Sequence, residues 1–172
     1  RKTESLTVVD NYTIENAGQI PLQHKPRSTN YNTNTGMSLV SGADKPMTSI
    51  IKVDRDKVVQ VVGYDEPSIP EDFGGSLATG HPLWLDEQRF FMLDRAARQI
   101  QLWNRRGELL STLTTPTSVH HLFQPPAYTM EPGEESVFYA IAEGNQSDRV
   151  SPAILRFEIR GKRMVKTGTV AL

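Results

Sequence analysis

The sequence predicts an all-β protein: a propeller-like array of four-stranded antiparallel blades, about three and a half of them in this chain. Three observations carry the prediction. Apolar residues fall in short alternating or β-branched runs rather than at helical spacing. The runs pair off around polar turns as hairpins. The hairpins return at intervals of roughly 45–55 residues, the period expected of a blade built from four short strands.

Taken in order, Ser5–Asp10 and Gly18–Leu22 form a hairpin with a long connection, a half blade over residues 1–22. Residues 23–66 hold the polar stretch Arg27–Thr33, a run at 36–42, and the hairpin Met47–Val53 and Val58–Tyr64 around the charged turn Asp54–Lys57. Residues 80–115 repeat the plan with His81–Leu85, Arg89–Asp94, Gln99–Asn104 and Glu108–Thr114, the last two closing over Arg105–Gly107. Residues 119–172 do so again with His120–Phe123, Ser136–Ala142, Ala153–Ile159 and Arg163–Val170, turning at Arg160–Gly161. Val58, Val59, Val61 and Val62, and Phe90, Phe91 and Leu93, are expected to be buried between blades, because stacked sheets bury their faces only against neighbours. The long connections 65–79 and 124–134, with their prolines and Gly74–Gly75, read as loops at one end of the sheets.

Composition narrows the function. With 19 Lys+Arg against 20 Asp+Glu the formal charge is −1, so no net positive field is present to hold a nucleic acid or an anionic membrane. No apolar run reaches the roughly 18 residues of a membrane span. Zero Cys excludes disulfides, thiolate metal sites and Cys nucleophiles. There is no G-x-S-x-G elbow for a Ser/His/Asp hydrolase, and Gly74–Gly75 lacks the Lys of a phosphate loop. The carboxylate pairs Asp54/Asp56, Asp65/Glu66, Glu71/Asp72 and Glu134/Glu135 lie in turns and read as solvated. Arg95, Arg98, Arg105 and Arg106 read as a basic edge that keeps a solvent-facing hairpin from pairing with other sheets. Asn11–Thr13 and Asn145–Ser147 match the glycosylation sequon.

The stretch Gly80-His81-Pro82 through Trp103-Asn104, followed by Gly107–Leu113 and Val119-His120, resembles a WD40 or YVTN-type propeller repeat, in which a Gly-His pair opens the blade and a Trp-Asp pair closes its third strand. Here the closing pair is Trp103-Asn104, and the neighbouring blades close on Val53-Asp54 and Ile159-Arg160, which is nearer the looser YVTN pattern of bacterial extracytoplasmic proteins. The resemblance implies a propeller fold and a periplasmic or secreted location. A closed propeller takes about four to eight blades. The chain, which starts at Arg1, is therefore expected to be completed by further blades of the same protein or by a protein partner.

All four histidines stand near the start of a blade: His24, His81, and the pair His120-His121. First strands border the axis of a propeller, so imidazoles at matching positions can converge there on Cu, Zn or Fe, with a carboxylate or water completing the shell. Nitrous oxide reductase, methanethiol oxidase and the carotenoid oxygenases are similar in this placement of His. The other reading makes these histidines structural hydrogen-bonding residues. Strand alternation implies that only one of His120 and His121 faces the axis, so the metal set expected from sequence is His24, His81 and one of that pair. Two functions follow: a non-catalytic interaction scaffold that binds a protein partner, and a propeller with a His-built axial metal site.

Overall fold

The structure is a computed structural model, and it describes residues 4–9, 16–65, 77–125, 136–145 and 148–172. Among the described residues fourteen strands follow one another: β1 (Ser5–Val9), β2 (Asn16–Pro21), β3 (Pro26–Asn32), β4 (Met37–Gly42), β5 (Met47–Lys52), β6 (Lys57–Gly63), β7 (Leu83–Trp84), β8 (Arg89–Asp94), β9 (Gln99–Asn104), β10 (Leu109–Thr114), β11 (Val119–Phe123), β12 (Val137–Ala142), β13 (Ala153–Arg160) and β14 (Arg163–Ala171). They form one two-stranded sheet, β1-β2, and three four-stranded meanders, β3 to β6, β7 to β10 and β11 to β14. All pairs are antiparallel. This is the propeller-like array expected from the repeat.

Alternation along the central strands explains why the sheets stack. In β8, Phe90 and Met92 point to the blade before, joining Leu39, Ile50, Val62 and Trp103 in one cluster. Phe91 and Leu93, offset by one residue, point to the blade after, joining Ile100, Leu102, Phe138, Leu155 and Phe157. The same division separates Leu39 from Val40 in β4 and Ile50 from Ile51 in β5, for Val40 and Ile51 pack against Ile20 and Leu22 of the N-terminal hairpin. Each apolar cluster is thus one interface between successive sheets, and a central strand that is apolar on both faces is the residue pattern such a stack requires.

First strands lie along one side of the stack, β3 against the first strand β7 and β11 against the second strand β8, while β10 meets β14 and β2 meets β6 along the other. β2 therefore takes the place of a fourth strand and β1 that of a third. The half blade is the outer half.

Turns form where the residues permit them. The β5-β6 connection is a single 3-10 turn at Val53–Arg55 closed by Asp56 in the left-handed region, φ 46°. Gly161, φ 63°, turns β13 into β14 with only Lys162 beside it in the loop. In the middle blade, Asn104 Oδ1 accepts the N–H of Arg106 and of Glu108, each at 3.0 Å, so the Asn of the Trp-Asn pair ties down the β9-β10 turn with its side-chain oxygen.

One expectation fails in part. Phe90, Phe91 and Leu93 are buried as expected, but of the four valines only Val62 is; Val58 and Val61 are half-buried and Val59 is exposed. β6 is a fourth strand, on the outside of its blade, and its neighbours do not cover it fully. The loops expected at 65–79 and 124–134 fall mostly, and the Asn11 sequon wholly, outside the described residues.

Candidate functional site

The described residues bring His81, His120 and His121 together. One ring nitrogen from each lies within 4.8 Å of the others. The rings of His81 and His121 stack at 4.2 Å with 20° between planes, and His120 tilts against both, at 5.1 Å from His81 and 4.3 Å from His121.

Backbone contacts within the middle blade and across to the last blade set this cluster. Gly80 N–H donates to Leu93 O and His81 N–H to His120 O, both at 2.9 Å, so the segment leading into β7 lies directly against β11. Gly80 allows the approach: a Cβ there would stand 2.6 Å from Leu93 Cδ1 and 2.8 Å from His120 O. The Gly of the Gly-His pair is thus a packing requirement for the His that follows it.

His120 and His121 join the same cluster despite being consecutive. The reason is a bulge: Val119 pairs with Ala142 and His121 with the next residue, Ile141, leaving His120 as an extra residue in β11. A bulge locally breaks the alternation that would place the two rings on opposite faces, and the expectation that only one of them could reach the site gives way for that reason.

His24 lies elsewhere. It is fully buried, with Nε2 2.9 Å from Ser49 Oγ and Nδ1 3.3 Å from Lys25 O. Both ring nitrogens have protein partners. Burial holds its pKa below the ordinary histidine value. It matches the structural alternative raised from sequence.

Four residues around the cluster were not singled out as site residues from sequence. Ser28 Oγ sits 2.6 Å from His81 Nδ1. Arg27 donates through Nη2 to His120 Nε2. Glu143 Oε1 lies 3.6 Å from His120 Nδ1 and its other oxygen pairs with Arg95. Arg95, expected on a solvent-facing edge, is buried, because it follows the central strand β8 and faces the next blade. The signal for Arg27 and Ser28 was their place on the first strand of a blade. The signal for Glu143 was that it directly follows β12, as buried Asp94 ends β8 in the blade before.

The electrostatics favour the neutral form of two of the rings, His120 and His81. The pKa of His120 is pushed down to about 4, by burial first, then by Arg27, His121 and Arg95, with Glu143 opposing. His81 is lowered by burial, His121 and Arg27. A neutral imidazole is the form that ligates metals. In the tautomer whose Nδ1–H donates to Ser28 Oγ, His81 offers the Nε2 lone pair to an ion, the arrangement in which an outer-shell acceptor orients a ligand. Three imidazoles and no thiolate suit a borderline divalent ion, Zn, Cu or Fe, and three protein ligands leave a coordination position for a further molecule.

No family model matches the chain, and no curated protein matches it in sequence. Among solved structures it is similar to Kuenenia stuttgartiensis Hydrazine Synthase, with a TM-score of 0.68 over 98% of this chain at 14% sequence identity. The chain spans 44% of the length of that chain. The similarity is one of fold.

Proposed function

We propose that this propeller segment holds a borderline transition-metal ion on His81, His120 and His121. The observation that supports the proposal is the convergence of three imidazoles from two adjacent blades to within 4.8 Å, with Ser28 of a third blade fixing one ring. Tetrahedral ligation needs metal–nitrogen distances of about 2.0–2.1 Å, which side-chain rotations of an ångström or so provide. The test is isothermal titration of chelator-treated protein with Zn(II): one ion per chain is expected for the parent, and none for His81→Ala or His121→Ala at unchanged circular dichroism. Equal binding by parent and variants would overturn the proposal.

A second reading concerns partners and rests on the last blade. Its outward face carries Phe123, Ile141 and Val170, 41%, 39% and 63% exposed, with Tyr139 stacked on Phe123 at 5.4 Å. Register places His121, Ile141, Ile154 and Val170 in one row across β11 to β14. Equivalent faces elsewhere in the stack are covered by the next sheet, so this face supports the scaffold reading, in which a further blade or a protein partner packs there. A native particle heavier than 19.3 kDa, reverting to that mass on Ile141→Lys, is expected. A well-behaved parent monomer would contradict it. The resemblance of the middle blade to WD40 or YVTN-type repeats, and an extracytoplasmic location, belong to this second reading.

A further inference from the structure

We infer that the ion at His81, His120 and His121 enters together with a small oxyanion, and that Arg27 couples the two. The inference rests on the metal reading above. It starts from His120, whose Nε2 accepts a hydrogen bond from Arg27 Nη2. A neutral imidazole has one lone-pair nitrogen and one N–H. An ion on Nε2 displaces Arg27 outright. An ion on Nδ1 leaves the proton on Nε2, which then faces the Arg27 donor and cannot accept from it. Either way, metal on His120 releases the guanidinium.

Among the described residues, His120 Nε2 is the one hydrogen-bond acceptor of the Arg27 side chain. Among them too, Arg27 Nη1 is already buried without a hydrogen-bond partner, as is Nε of Arg95. The charges acting on Arg27 are Arg95, which opposes it, and Glu143, which favours it. Glu143 is in turn paired with Arg95. Two guanidiniums thus share one carboxylate, and a divalent ion on the adjacent imidazoles adds charge of the same sign, a repulsion that is screened less in a partly buried site than in water.

An oxyanion answers each of these demands. One oxygen fills the coordination position that three histidines leave free, and another accepts from the Arg27 fork, whose parallel N–H groups match carboxylate and phosphate oxygens. Its charge offsets the excess. Carboxylate and phosphate share the chemistry required, and the experiment separates them.

The test follows Co(II) binding by its visible absorption, with parent protein in a non-coordinating buffer, then with added acetate, then with added inorganic phosphate. Either anion is expected to raise the Co(II) affinity of the parent at least tenfold, the larger rise identifying the preferred class. Arg27→Met is expected to bind Co(II) more tightly than the parent without anion and to lose the anion dependence. Arg27→Lys, which keeps the charge and loses the fork, should bind weakly without anion and gain less than the parent from it. Equal parent affinity in all three buffers, with binding still abolished by His81→Ala, would overturn the inference and leave the metal site standing. No Co(II) bound in any buffer would overturn the metal reading and the inference with it. The parent comparison decides even if an Arg27 variant fails to fold.

Discussion

Replacing Phe91 by Ala tests how the blades are held. Phe91 is fully buried on the side of β8 that faces the last blade, with Phe138 edge-on at 5.1 Å and 63° and Phe157 at 5.9 Å and 85°. Truncating a buried Phe costs about 3–5 kcal/mol from lost transfer free energy and the cavity left behind. Two aromatic partners, each contributing about 0.5–1.5 kcal/mol beyond area, place this site in the upper half of that range. Against a total stability of about 5–15 kcal/mol, the loss is about a quarter or more. For a chain of this size each kcal/mol lowers Tm by about 2–4 °C, so a drop of about 8–20 °C is expected. Urea unfolding followed by the fluorescence of Trp84 and Trp103 is the assay. Both tryptophans belong to the interface on the other side of β8, so a cooperative shift in their signal also shows that the two interfaces melt together. The urea m value should not change. A loss below about 1 kcal/mol, well short of the cost of truncating a buried Phe, would refute the account of β8 as a strand buried between two blades.

Further outcomes follow from the same geometry. Val59→Thr, on the exposed outer strand, is expected to change stability by no more than about 0.5 kcal/mol in the same assay. Gly80→Ala forces a Cβ to 2.6 Å from Leu93 Cδ1 and should cost about 1–3 kcal/mol while weakening Zn(II) binding in titration, because the displaced segment carries His81. Ser28→Ala should leave Tm nearly unchanged and reduce metal affinity about 10–100-fold, the usual effect of removing an outer-shell partner. His24 has a folded-state pKa lowered by burial from 6.5, so the unfolded chain takes up the proton first as pH falls. Its contribution to stability is complete above about pH 6.5 and is lost below it. The difference in Tm between parent and His24→Gln should therefore shrink from pH 7 to pH 5, and a constant difference would contradict a neutral, buried His24.

Much of the fold was legible because each blade announces itself locally. Alternating runs with polar turns located β4, β5, β8, β9, β12 and β13 to within a residue or so, since a strand buried on both faces has to be apolar at consecutive positions. The outer strand β6 misled, because its valines look the same in sequence whether or not a neighbouring sheet covers them. At the site, the Gly80-His81 pair and His120-His121 stood out as residues at the starts of blades. The inclusion of His24 did not survive, because a blade-start position places a side chain along the strand direction but does not say whether a Ser49 stands ready to receive it. The joint use of His120 and His121 required a bulge of one residue, and an irregularity in strand pairing depends on the partner strand as much as on the residues that bulge. Arg27 met His120 only through the stacking of blades, a contact across 93 residues that no local pattern encodes, whereas Glu143 reaches His120 within one sheet, from the residue that follows β12.

The most direct measurement of the central claim is the zinc-edge X-ray absorption spectrum of the protein loaded with one equivalent of Zn(II). A nitrogen and oxygen shell at about 2.0–2.1 Å with outer-shell scattering from three imidazoles is expected, and that imidazole scattering is expected to be lost in His121→Ala, which does not hold the ion. A spectrum with one imidazole or none, or one that His121→Ala leaves unchanged, would contradict it.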